Sequence, residues 1–150
     1  MTKDVLISVK GLQLIDEQDN AEPIEVVIPG EYYFRNGHHY LRYDEVQEGF
    51  REATVNFIKA NDKSMEVRKR GTTNVHMIFQ PEKKNVTYYQ TPFGSIQMGI
   101  SATKLVCQES EDNINIHVDY ALEMNNEHVA DCFLQVDVIP RNTQAFHLCS

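Results

Sequence analysis

The run Ile114-Asn115-Ile116-His117-Val118-Asp119-Tyr120-Ala121-Leu122-Glu123-Met124 places apolar residues at every even position and largely polar ones between them. A period of two with one apolar face belongs to a half-buried β-strand. After Asn125-Asn126-Glu127 comes a second run, with Ala130, Cys132, Leu134, Val136 and Val138 in phase. Together they read as a hairpin. A plain two-residue turn would set Tyr120 against Asp131 and Ile114 against Asp137 on the buried face. A three-residue loop over Asn125 to Glu127, or an equivalent bulge, sets Val118 against Leu134, Ile116 against Val136 and Ile114 against Val138. A one-residue slip moves every side chain to the wrong face, so the odd-length loop or bulge is predicted. Asparagine tolerates the left-handed conformation that such a loop needs.

The same period recurs along the chain. Val5, Ile7 and Val9 alternate with Leu6 and Ser8; Ile24, Val26 and Ile28 form another set. Val75, Met77 and Phe79 follow, then Ile96, Met98 and Ile100. Turn signals stand between the runs at Pro29-Gly30, Asn36-Gly37, Asn61-Asp62, Gly71, Pro81, Pro92 to Gly94 and Asn125-Asn126. About ten strands result. The one helical candidate, Glu45 to Ala53, contains Gly49 and is expected to be a loop or a single turn.

Asn36-Gly37 suits a two-residue type I′ turn. It pairs Arg35 with His38, Phe34 with His39, Tyr33 with Tyr40, Tyr32 with Leu41 and Glu31 with Arg42. Tyr32, Phe34, Leu41 and Tyr43 then share an apolar face, and Tyr33 and Tyr40 look outward. Between Ser95 and Cys107 the apolar phase shifts, so a bulge is expected near Ala102 to Lys104, bending a strand of about 40 Å. Adjacent hairpins with a bent long strand predict an all-β, antiparallel, up-and-down closed barrel; a sandwich is the alternative.

The 150 residues fit a single domain spanning 1–150. The chain has a net charge of −8 and contains no stretch of about 18 apolar residues. Its start turns polar by Ser8, which gives no signal-peptide core. Cys107, Cys132 and Cys149 fit neither a disulfide framework nor a zinc pattern, and the expected compartment is the cytoplasm. The charge is uneven: residues 61–90 carry six Lys and Arg against three Asp and Glu, between acidic flanks. That middle reads as a solvated strand face that blunts edge pairing, or as a local anion site. The overall acidity predicts no nucleic-acid and no membrane partner; nucleic-acid binding through residues 63–84 is the minor alternative, and it would fall steeply with salt.

Chemical motifs are sparse. His38 and His39 are consecutive in a strand and point to opposite faces, so they cannot share one metal. His117 is expected opposite Gln135 on the outer face. No HxH, HExxH, CxxC, GxGxxG or P-loop pattern occurs, so no metal and no cofactor is expected. Asn85-Val86-Thr87 matches a glycosylation sequon, which is expected to have no meaning because no signal peptide is expected. Cys107 and Cys132 fall on apolar runs and read as core residues. The pairs Asp44-Glu45 and Glu111-Asp112 read as solvated loop charge.

The stretches Gly30-x-Tyr32-Tyr33 and Tyr40-Leu41-x-Tyr43-x-Glu45 resemble a hairpin of the uncharacterised YwiB-like family of bacterial calycin-type β-barrels. Tyr89-x-x-x-Phe93-Gly94, Gly71 with Phe79 eight residues later, and Ile114-x-Ile116 leading to Tyr120 add to the resemblance, in order along nearly the whole chain. It implies a lipocalin-like closed barrel and no particular activity.

The expected function is therefore non-enzymatic binding of a small, partly apolar and possibly anionic ligand in the barrel interior. Tyr32, Phe34, Leu41, Tyr43, Tyr88 and Tyr120 would line it, and Lys69 or Arg70 would anchor its polar end. The alternative is an interaction module or homodimer with a filled barrel, working through an outer patch of Tyr33, Tyr40, Arg35 and His38.

Overall fold

Asn36 and Gly37 take φ angles of 53° and 77°, and Asn125 and Asn126 take 52° and 69°. These left-handed pairs are what two-residue hairpin turns require. The computed structural model describes residues 3–11, 25–46, 53–71 and 74–141. Within them the chain forms β1 (Asp4–Lys10), β2 (Glu25–Arg35), β3 (His38–Glu45), β4 (Thr54–Ala60) and β5 (Met65–Arg70). It continues with β6 (Val75–Phe79), β7 (Lys84–Thr91), β8 (Gly94–Glu109), β9 (Ile114–Met124) and β10 (Glu127–Pro140).

All ten strands join one antiparallel sheet in the order β6-β5-β4-β3-β2-β1-β10-β9-β8-β7. Each strand pairs with its sequence neighbour except at β6 and β7, and β1 pairs with β10. This is the predicted meander, curled into a nearly closed barrel. The seam falls between β6 and β7. Asn74 and Gln90 exchange two backbone hydrogen bonds of 3.0 and 2.8 Å across it, and the Glu82 N–H donates to the Ala102 carbonyl at 3.0 Å.

The predicted registers hold. The β2–β3 hairpin pairs Arg35 with His38 through Glu31 with Arg42. In the β9–β10 hairpin Val118 faces Leu134, Ile116 faces Val136 and Ile114 faces Val138. The device is the bulge rather than the odd loop: Glu127 pairs with Met124, and the register shifts between His128 and Ala130. A second shift lies between Ala102 and Lys104 of β8, as the phase change predicts. Glu45 is the last residue of β3, while residues 47–52 of the helical candidate lie outside the described residues, as do Ile24, His147 and Cys149.

One series from each strand points inward and forms the core: Val5 and Ile7, Leu41 and Tyr43, Met65 and Val67, Met77 and Phe79, Ile116 and Val118, Leu134 and Val136 among them. Burying such side chains contributes about 1.5–3 kcal/mol each against chain entropy. At Gly30 the packing leaves no room for a side chain. A Cβ there would meet Ile7 Cδ1 at 2.5 Å and the Arg42 carbonyl oxygen at 2.6 Å.

Candidate functional site

The side chains nominated for the lumen separate into two groups. Tyr32, Leu41, Tyr43, Lys69 and Tyr120 point inward and are buried. Phe34, Tyr88 and Arg70 do not, and each has a physical reason. Phe34 is in phase with Tyr32 but stands beyond the rim, 57% exposed, with its ring tilted on His39 at 5.1 Å. Tyr88 is 59% exposed because β7 buries Tyr89 instead. Arg70 directly follows the inward Lys69, so the pleat turns it outward.

The middle of the lumen is filled. A void able to hold one water would leave its lining accessible. Ala60, Met65, Val67, Met77, Phe79, Val118 and Leu134 are all 0% exposed. Phe79 reaches Tyr120 edge-on, with ring centroids 4.9 Å apart. Burial raises the pKa of the Tyr120 hydroxyl, with Cys132 adding to it, and that of the Tyr43 hydroxyl, with Glu45 adding to it.

Polar groups gather at the two ends of the barrel, about 20 Å apart along β3. At one end the buried Lys69 Nζ donates to Asn56 Oδ1 at 2.8 Å and to Glu45 Oε1 at 3.1 Å. Asn56 Nδ2 also donates to Glu45 at 3.3 Å, so the ammonium is balanced within its own cluster. At the other end Tyr32 Oη and His39 Nδ1 are 2.9 Å apart, and His39 Nε2 lies 3.6 Å from Glu109 Oε1. Burial is the main cause lowering the His39 pKa, opposed by Glu109. Burial also raises the Cys107 thiol above its ordinary value, helped by Glu109 and Asp62, so this sulfur is not an activated nucleophile. Lys3, Tyr32, Tyr33, Phe34 and Glu109 border a recess of about 450 Å³ there.

A larger recess lies on the outside. A groove of about 620 Å³ runs over the outer face of β2 to β6. Its first cross-strand row is Glu31, Arg42, Phe57, Arg68 and His76, each directly opposite the next. Its second row is Tyr33, Tyr40, Lys59 and Glu66. Phe57 is 40% exposed, and the Arg42 guanidinium sits 6.0 Å from its ring centroid. Tyr33 and Tyr40 stack at 4.9 Å with rings 10° from parallel, and Lys59 Nζ is 5.9 Å from the Tyr40 ring. Arg68 donates to His76 Nδ1 at 3.4 Å, which fixes the ring proton on Nε2, where it faces Glu66 Oε1 at 2.8 Å. Arg70 and Lys3 complete the rim. Arg42 lies 3.7 Å from Glu31 and 3.6 Å from Asp44, and Lys59 lies 3.9 Å from Glu66. At such exposed positions these ion pairs are weak and leave the cations able to exchange partners.

Reasoning from alternation missed His39 and Asn56 as inward residues. Their signal was present: His39 is in phase with Leu41 and Tyr43, and Asn56 with Ile58 and Ala60. Among the described residues no cluster of three or more His, Cys, Asp or Glu could hold a metal ion. No helix there is long and apolar enough to cross a membrane.

Residues 7–136 match the family described as a domain of unknown function, DUF1934. The chain belongs to this family. It is similar to the uncharacterized beta-barrel protein YwiB of Bacillus subtilis, with 21% identity over 127 residues, covering 85% of this chain and 88% of YwiB. The crystal structure of the ywiB protein from Bacillus subtilis superimposes with a TM-score of 0.75 at 19% identity, covering 94% of this chain and 93% of that one. This supports a shared fold.

For a DUF1934 member, two of the glycines that carry the resemblance have packing roles here. Gly30 lies where β1 and β3 approach β2. Gly71 has φ +142°, and a Cβ there would meet the Ala53 carbonyl oxygen at 2.6 Å and Thr54 Cα at 2.8 Å. These motif positions serve the barrel; the groove is built from other residues.

Proposed function

We propose that this protein is a non-catalytic binding module whose working surface is the outer face of β2 to β6, taking an anionic partner with flat or apolar groups. One observation carries the reading: Phe57 stands partly exposed between Arg42 and Arg68 in an outer groove of about 620 Å³. A ring flanked by two guanidinium groups offers a stacking surface and fork-shaped anion donors together. The filled lumen supports placing the partner outside. A ligand among Tyr32, Leu41, Tyr43 and Tyr120, which are at most 7% exposed, would have to displace packed side chains. The clusters around Lys69 and His39 have internal partners, which supports structural roles for them. Cys107 and Cys132 are not joined in a disulfide, which supports a cytoplasmic setting.

The test is amide shift mapping during titration with inorganic tripolyphosphate at low salt. The expected result is perturbation centred on Arg42, Phe57, Arg68 and Arg70, lost in Arg68→Glu/Arg70→Glu. No perturbation, or one centred on Lys83, Lys84 and Lys104, overturns the reading.

A further inference from the structure

The groove presents two aromatic platforms rather than one, and they lie on successive cross-strand rows. Same-face residues two apart along a strand are about 6.8 Å apart, so Phe57 and the Tyr33–Tyr40 pair occupy adjacent steps of one path. Tyr33 is 51% exposed and Phe57 40%. Arg68 flanks Phe57, while Lys59 flanks Tyr40. Arg70 lies one step further along the outer face of β5. The path is open, spanning five neighbouring strands at about 4.8 Å each.

We infer that this groove binds single-stranded nucleic acid, with consecutive bases stacked on Phe57 and on the Tyr33–Tyr40 pair and phosphates held by Arg68, Arg70 and Lys59. The inference rests on the outer-face reading above and names its occupant. Exposed rings interleaved with cations suit unpaired bases, whose faces are available and whose backbone carries a regular charge; Glu31 and Glu66 also line the groove, paired with Arg42 and Lys59. An acidic peptide would satisfy the cations and leave the two platforms unused. A mononucleotide would use one of them. A duplex hides its base faces within its own stack.

The net charge of −8 opposes approach of any polyanion at long range. It acts through a screening length of about 10 Å at 0.1 M salt, whereas the groove cations act at contact. Three phosphate contacts predict a salt slope in log K of about −2, at about −0.7 per contact for a single strand. The basic middle of the sequence explains only part of this. Lys69 turns inward and Lys84 pairs with Glu123 at 2.8 Å, while Arg42, Lys59 and Lys3 come from the acidic segments.

The experiment is fluorescence anisotropy with labelled twelve-residue oligo(U), oligo(dT) and a duplex of equal length, at 20 to 150 mM salt. Amide shift mapping with oligo(U), polyglutamate and tripolyphosphate runs beside it. Single strands are expected to bind more tightly than the duplex. Phe57→Leu, which keeps apolar bulk without a ring, is expected to weaken binding about tenfold. Arg68→Gln/Arg70→Gln is expected to reduce the salt slope by about 1.4. All three side chains point outward, and circular dichroism with thermal melting verifies that the variants fold. Single-strand binding unchanged in both variants, or equal binding of duplex and single strand, overturns the inference. If polyglutamate or tripolyphosphate shifts the groove and the oligonucleotides do not, the inference fails and the outer-face reading stands. If nothing shifts the groove, both fail.

Discussion

His39 Nε2 lies 3.6 Å from Glu109 Oε1, although β3 and β8 stand five places apart in the sheet. The contact therefore spans the end of the barrel instead of joining neighbouring strands. His39 is 5% exposed, and its other ring nitrogen is held by the Tyr32 hydroxyl. The carboxylate is mostly in water, so its attraction is screened and does not offset the burial of the imidazole.

This sets a pH dependence. Burial lowers the His39 pKa below its ordinary value near 6.5, with His38 adding to the lowering and Glu109 opposing it. Below about pH 6.5 the unfolded chain takes up a proton at this site more readily than the folded one. The stabilising effect of a neutral His39 is thus present above that pH and is lost as pH falls through the lowered folded value. Replacing His39 with Gln removes this contribution. Thermal melting at pH 7.5 and 5.5 is expected to show a smaller acid-induced drop for His39→Gln than for wild type. Equal drops would show that His39 does not titrate differently on folding.

The Lys69 cluster predicts an order of costs. Asn56 is 0% exposed and holds the buried ammonium at 2.8 Å, so Asn56→Ala deprives a charge of an acceptor that water cannot replace. The expected loss is about 2 kcal/mol. Lys69→Met removes the charge itself, leaving Glu45, a third exposed, to be solvated. In the Asn56→Ala background Lys69→Met should recover part of the loss, because no unpaired ammonium remains. Urea denaturation of the four proteins of this cycle checks it; strictly additive costs would show that the two groups are uncoupled.

Phe79 gives the clearest packing prediction. It is fully buried, belongs to β6 at the seam, and meets Tyr120 of β9 from across the lumen. Phe79→Ala opens a cavity between these strands and should cost about 3–5 kcal/mol. Phe79→Leu should cost less, since most of the volume stays. A loss under 1 kcal/mol for the alanine variant, measured by urea denaturation, would mean that the lumen collapses around the gap.

The hairpins were legible because a buried face penalises slippage, so pairs such as Val118 with Leu134 follow from the pattern alone. Positions at the margins were not. Phe34 keeps the inward phase but passes the rim, and periodicity carries no information about where a barrel ends. Tyr88 and Tyr89 lie on an edge strand at the seam, where Val86 and Tyr88 look like the apolar face and yet Tyr89 is the buried one. His39 and Asn56 are polar residues in an apolar phase, which alternation discounts as exceptions. The groove was legible only through its outward Tyr33 and Tyr40, for a different reason. Counting charge by segment separates Lys3, Arg42 and Lys59 from Arg68 and Arg70, and only the sheet brings them together.

The bulge in β10 permits a direct test of the register argument. The turn at Asn125-Asn126 has two residues, and by itself would put Asp131 and Asp137 on the core face. The shift between His128 and Ala130 absorbs one residue and restores the apolar pairing. Val129 is 53% exposed and lies between them. Deleting Val129 shortens His128 to Ala130 to a regular step and moves Asp131 to His128 into the two-for-two pairing already used on either side, so the pairs from Ala130 onward can persist. Deleting Phe133 from the same strand has no such outlet. It puts either Asp131 or the Gln135 and Asp137 side opposite the core face and forces a polar group inside, at a cost of several kcal/mol. Thermal melts of the two deletions are therefore expected to differ widely, with the Val129 deletion remaining folded and the Phe133 deletion losing its cooperative transition. If the Val129 deletion were the more damaging, the bulge would be needed for barrel curvature and not only for register.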